Sequence, residues 1–99
     1  MLDCLRDPIR LAIVVTLAGA KGSEELRCGD FNALSTKSNL SYHFVKLRDA
    51  GLLRSRLVGT NHFVQLRRQD LNSRLPGLLD AVLNSAVRND EVLRLLDGL

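Results

Sequence analysis

The stretch TKSNLSYHFVKLRDAG, Thr36 to Gly51, decides the fold. Leu40, His43, Phe44 and Leu47 recur at the spacing of one helical face, so an amphipathic helix over about 36–50 is expected. Thr36 suits its start, because a threonine hydroxyl accepts a hydrogen bond from an orphan N–H of the first turn. Gly51 suits its end, since glycine enters the left-handed conformation of a helix stop without strain. The face opposite the apolar stripe begins with Lys37, Ser38, Asn39, Ser41 and Tyr42.

Downstream, Leu52 to Val58 and Asn61 to Arg67 read as two strands around the turn Val58-Gly59-Thr60-Asn61, with alternating apolar positions at Leu53/Leu57 and His62/Val64/Leu66. Upstream, Asp7-Pro8 opens a helix, Asp7 as the cap and Pro8 in the first turn. Ile9, Ala12, Ile13, Thr16 and Leu17 form its buried stripe, and Gly19 to Gly22 ends it. A short helix from Glu24 to about Phe31 is expected to bury Leu26 and Phe31, with Leu34 in the following turn. Beyond Asp70 the chain reads as helical to about residue 97, with a kink or restart at Pro76 and a last short helix capped by Asn89-Asp90. The expected class is mainly α with a small β-hairpin, as one domain over residues 1–99.

The 99 residues are 45% hydrophobic and 25% charged. No apolar run approaches the roughly 20 residues of a membrane span, and Met1 to Arg6 lacks the basic-then-apolar order of a signal peptide. A cytoplasmic protein without a membrane partner is expected, with Cys4 and Cys28 as free thiols. The net charge is +3, but seven basic residues from Lys37 to Arg68 face one acid, Asp49, which leaves +6 over 32 positions. Such concentration points to a polyanion partner.

Three segments resemble one family. LRDPIRLAIVVTLA (Leu5–Ala18) looks like the L-x-D-P-x-R-x-x-I-x-x-x-L opening of the arsenic-repressor-like (ArsR) regulators. STKSNLSYHFVKLRDAGLLRSR (Ser35–Arg56) resembles their S-x-S-x-x-S-x-H-L-x-x-L-R-x-A-G-L-[IV] recognition-helix motif. GTNHFVQLRRQDLNSRLPGLLDAV (Gly59–Val82) is similar to the wing and dimer helix of one branch. The resemblance implies a winged helix-turn-helix with a C-terminal dimerisation helix at about 70–97, and a homodimeric repressor of transcription on a palindromic double-stranded DNA operator.

The candidate site residues follow. A major groove admits one α-helix, whose N-terminal side chains reach base edges. Thr36, Lys37, Ser38, Asn39, Ser41, Tyr42 and Lys46 are therefore the candidate readers on the recognition helix. Arg54 and Arg56, with Gly59, Thr60 and Asn61 at the tip, are the candidate wing contacts over about 52–67. Leu2, Leu5, Leu75, Leu78, Leu79, Val82, Leu83 and Ala86 are the candidate dimer interface, because so wide an apolar stripe exceeds what one small core absorbs.

No catalytic constellation is seen: neither His43 nor His62 has the neighbours that nucleophilic chemistry needs. His43 is read as a buried histidine bonded to backbone. No metal site or cofactor is expected. Metal-sensing members carry two thiolates in a run where this chain has Arg27 and Gly29, and Cys28 between them cannot alone supply three or four ligands. Two rivals stay open: a metal-, metalloid- or redox-responsive repressor using Cys4 and Cys28, and a winged helix used for protein–protein contact. The operator and any inducer are not specified by the sequence.

Overall fold

The computed structural model describes residues 5–19, 25–74 and 76–98. Its elements are α1 (Pro8–Gly19), β1 (Leu26–Arg27), a 3-10 turn (Cys28–Phe31), α2 (Lys37–Asp49), β2 (Leu53–Val58), β3 (Asn61–Leu66), α3 (Arg68–Arg74), α4 (Leu78–Val87) and α5 (Asp90–Asp97). This is a winged helix-turn-helix, mostly helical with one small antiparallel sheet.

Helix α1 starts as its sequence dictates. Asp7 Oδ1 accepts from the N–H groups of Ile9 (2.8 Å) and Arg10 (3.4 Å). Leu11, Ala12, Ile13, Val14 and Leu17 are all buried, more than one stripe, because α1 packs against α2, α4, α5 and β3 at once. It is the central helix of the core, which also takes Phe31, Leu47, Leu52, Leu53, Val64, Leu71 and Val92.

Helix α2 has the predicted ends. Thr36 Oγ1 accepts from Asn39 N at 3.2 Å. At the other end Gly51 takes φ 81, Gly51 N donates to Arg48 O and Leu52 N donates to Leu47 O, both at 3.0 Å. These two bonds satisfy carbonyls that the helix leaves orphaned, and buried Leu47 and Leu52 close the motif hydrophobically.

The hairpin keeps its expected register, Leu53 opposite Leu66 through Val58 opposite Asn61. Gly59 at φ 61 occupies the first central position of the two-residue turn, as a type II′ hairpin requires.

One expectation is corrected. The short helix from Glu24 to Phe31 is absent; Glu24 lies outside the described residues, and Leu26–Arg27 instead form a third strand on the open edge of β3, Leu26 opposite Val64. The free ladder groups of that edge offer Leu26 and Arg27 regular hydrogen bonds that a single helical turn could not match. The following 3-10 turn buries Phe31, whose ring meets Phe44 of α2 edge-on at 5.6 Å. A single turn thus stands where the first helix of the motif was expected. The C-terminal part restarts after α3, near Pro76, and ends in a separate short helix, as its sequence reads, so that the stretch of about 70–97 is three helices. Gly77 at φ 84 precedes α4, and Asn89 Oδ1 caps α5 by accepting from Glu91 N (3.0 Å) and Val92 N (3.1 Å). Among the described residues no helix is long and apolar enough to cross a membrane.

Candidate nucleic-acid interface

The exposed start of α2 carries the predicted polar set. Lys37, Ser38, Asn39 and Ser41 are all exposed, and Thr36 is exposed but committed to its cap. Asn39 Nδ2 donates to Ser35 Oγ at 2.7 Å, which holds the amide at the head of the helix. Tyr42 is 52% exposed, and two cations stand over its ring: the Arg10 guanidinium 5.6 Å and the Lys46 ammonium 5.4 Å from its centroid. The stacking fixes the direction of Lys46, toward Tyr42 one turn back. Cation–ring contacts of this kind hold long side chains in place while leaving their charge outward.

His43, beside Tyr42, is buried at 4% exposure. Its partner is a side chain rather than the expected backbone group: Arg10 Nε donates to His43 Nδ1 at 2.9 Å. Accepting at Nδ1 leaves the proton of the neutral ring on Nε2. Burial lowers the His43 pKa below its ordinary 6.5; the Asp7 carboxylate opposes this and the Arg10 guanidinium reinforces it. Arg10 thereby links α1 to two consecutive residues of α2. Sequence spacing alone could not place an α1 residue there.

Alternation along β2 sorts the wing into two faces. Leu53, Ser55 and Leu57 share one face with Leu66, Val64 and His62; Arg54, Arg56 and Val58 share the other with Gln65, Phe63 and Asn61. Both arginines therefore do lie on one face, the one turned from α2. Arg54 is exposed. Arg56 is engaged: its Nη2 and Nε donate to Glu25 Oε1 and Oε2 at 2.7 and 3.1 Å, and its guanidinium lies 5.4 Å from the Phe63 ring centre. At the tip Gly59, Thr60 and Asn61 are exposed as expected.

Between α2 and the inner face of the sheet lies a cleft of about 710 Å³. Lys37, Ser41 and Arg48 line it from α2, Ser55 from the sheet, Thr60 and Asn61 from the hairpin tip, and Arg27 and Cys28 from the segment before Phe31. Among the described residues that line it, three are cationic and none is acidic. The cleft brings together Lys37 and Ser41 of the candidate readers with Thr60 and Asn61 of the candidate wing tip, and adds Arg48, which was not among the candidates. The signal was available: residues 37, 41, 44 and 48 repeat at three- and four-residue spacing on one side of a helix. Burial pushes the Cys28 thiol above its ordinary pKa, which keeps it protonated near neutrality and away from the thiolate that metals and oxidants need. Cys4 lies outside the described residues.

Of the expected dimer positions, Leu2 and Leu75 lie outside the described residues, as do the side chains of Leu78, Leu79 and Ala86 on α4. Leu5 is half-buried against the core and Leu83 is half-buried on α4. Val82 is only 6% exposed, inside the core of its own chain.

Compared with protein-family models, the chain matches none. It is 38% identical over 84 residues to the "Uncharacterized HTH-type transcriptional regulator YceK" of Bacillus subtilis (strain 168), a match spanning 83% of this chain and 82% of that protein. That similarity joins the winged helix-turn-helix fold, its polar helix start and its cationic cleft. It points to a class of regulators and not of enzymes, and the chain belongs to the helix-turn-helix type transcriptional regulators.

Proposed function

We propose that this chain is a homodimeric repressor of the ArsR type that binds a palindromic operator in double-stranded DNA within the cytoplasm. The observation that carries the reading is the exposed polar start of α2 standing beside a cleft whose charged residues, among those described, are all cationic. In this reading Lys37, Asn39, Ser38 and Ser41 enter the major groove, where lysine bonds guanine and an asparagine amide pairs bidentately with adenine. Tyr42, Lys46 and Thr36 flank the reading set and meet phosphate or sugar. Arg54 and Arg56 meet phosphates, and Gly59, Thr60 and Asn61 form a tip small enough for the minor groove.

The dimer seam in this proposal runs along α4, through Leu78, Leu79, Leu83 and Ala86, with Leu75, Leu2 and Leu5 alongside. Val82, in the core, supports α4 from behind. A two-fold axis through that seam would set the two α2 helices about 34 Å apart, one turn of DNA. The 1–99 chain then acts as one domain, and DNA binding depends on the partner copy. Selection of binding sites from random duplex with the purified protein tests the reading. A recovered inverted repeat with half-sites about 10 base pairs apart is expected. Recovery of no consensus overturns sequence-specific binding, and recovery of a single half-site overturns the dimer.

A further inference from the structure

The cleft between α2 and the sheet has a feature that phosphate contact does not call for, an apolar floor. Leu53 and Val64 are buried beneath it, and Phe44, half-buried, and Val45, exposed, stand at its wall, while Lys37 and Arg48 sit on its α2 side. Its volume of about 710 Å³ lies within the roughly 300–1,000 Å³ typical of small-molecule sites, which pair an apolar lining with a few placed polar groups.

We propose that this cleft binds a small organic anion with an apolar body, and that its occupancy excludes DNA. Charge selects the class of ligand. Among the described lining residues the cations have no acid beside them, so an anionic group gains from Arg48 and Lys37, whereas a cation would be repelled. The apolar lining selects the rest of the molecule: a ring or short chain covers half-buried Phe44 and exposed Val45 and removes their apolar surface from water. An inorganic anion would leave that lining wet. The exclusion of DNA rests on the function proposed above, because Lys37 and Thr60 belong both to the cleft and to the proposed DNA surface.

The test uses the full chain, uniformly labelled with nitrogen-15, and two probes of equal body: 2-naphthoate and the neutral 2-naphthylmethanol. Naphthoate should shift amides of α2 and of β2–β3 saturably, and bind at least about tenfold more tightly than the alcohol, as expected for hydrogen bonds to a charged group. Arg48→Gln should remove most of that preference while leaving the alcohol's affinity unchanged. Arg48 is exposed, so the variant keeps the fold, and Lys37→Gln serves as the second variant. No saturable shifts, shifts confined to α4 and α5, equal affinity for the two probes, or a preference insensitive to both variants would each overturn the site. A second arm adds labelled duplex. Release by saturating naphthoate supports exclusion, and duplex retention overturns it. A chain that binds naphthoate in the cleft but no duplex at all leaves the pocket standing and removes the DNA reading instead.

Discussion

Glu25 restrains Arg56, and removing that restraint should tighten DNA binding. The pair is bidentate, at 2.7 and 3.1 Å, with side-chain exposures of 26% for Glu25 and 59% for Arg56. Ion pairs this open to water are worth about 0.2–1 kcal/mol, and the forked geometry favours the upper end. If Arg56 meets phosphate, it must first leave Glu25, so the bridge subtracts up to about 1 kcal/mol from binding. Glu25→Gln keeps the shape and an acceptor oxygen but drops the charge. The variant should bind duplex up to about fivefold more tightly at fixed salt, since 1.4 kcal/mol is tenfold. Because Arg56 meets phosphate in both proteins, the slope of log affinity against log salt should stay nearly the same. Fluorescence anisotropy of a labelled duplex across a salt series measures both. The control is the same change in an Arg56→Ala background, where the gain should shrink below about twofold, because the two residues act through one contact. Unchanged or weaker binding in Glu25→Gln, or an equal gain without Arg56, would refute the reasoning.

Thr36→Ala removes the acceptor for Asn39 N and should cost about 1 kcal/mol of stability, a fall in Tm of about 4–8 °C; a loss below about 0.5 kcal/mol in thermal unfolding contradicts the cap. His43 has its folded pKa pushed below the ordinary 6.5, so the unfolded chain takes up a proton there that the folded chain resists. Its contribution to stability is therefore present above pH 6.5 and is lost as pH falls through that value toward the folded pKa, with a slope of at most about 1.4 kcal/mol per pH unit. Urea unfolding at pH 7 and pH 5 should show that slope reduced in His43→Asn, and an unreduced slope would exclude His43 as its source. Leu83→Asp should convert the proposed dimer to monomers in sedimentation at micromolar concentration; a wild-type chain that is already monomeric there contradicts the seam.

The elements with local signals were legible in the sequence. Thr36 and Gly51 bracket α2 because capping is decided within a few residues, and Asn89 marks α5 for the same reason. Gly59-Thr60 fixes the hairpin register, since the turn dictates which residues pair. What escaped was set by partners distant in the chain. Leu26–Arg27 become a strand only because β3 presents an open edge to them. The burial of Leu11 and Val14, beyond the stripe at Ile9, Ala12, Ile13, Thr16 and Leu17, reflects helices packed on several sides of α1. The same holds within the candidate site. The exposed polar residues of α2 follow from its amphipathic pattern, but the Arg10–His43 bond spans 33 positions and the Arg56–Glu25 bridge spans 31, and no local pattern announces either.

The central claim is that the start of α2 reads base sequence. Asn39 is its sharpest point: one amide N–H is held by Ser35, and the group still offers the oxygen and second N–H that pairing with adenine requires. The direct measurement is the affinity of wild type and Asn39→Ala for a selected site and for a scrambled duplex at one salt concentration. A loss of about 1–3 kcal/mol on the selected site and almost none on the scrambled one is expected. Equal losses on both, or none on either, would contradict the claim.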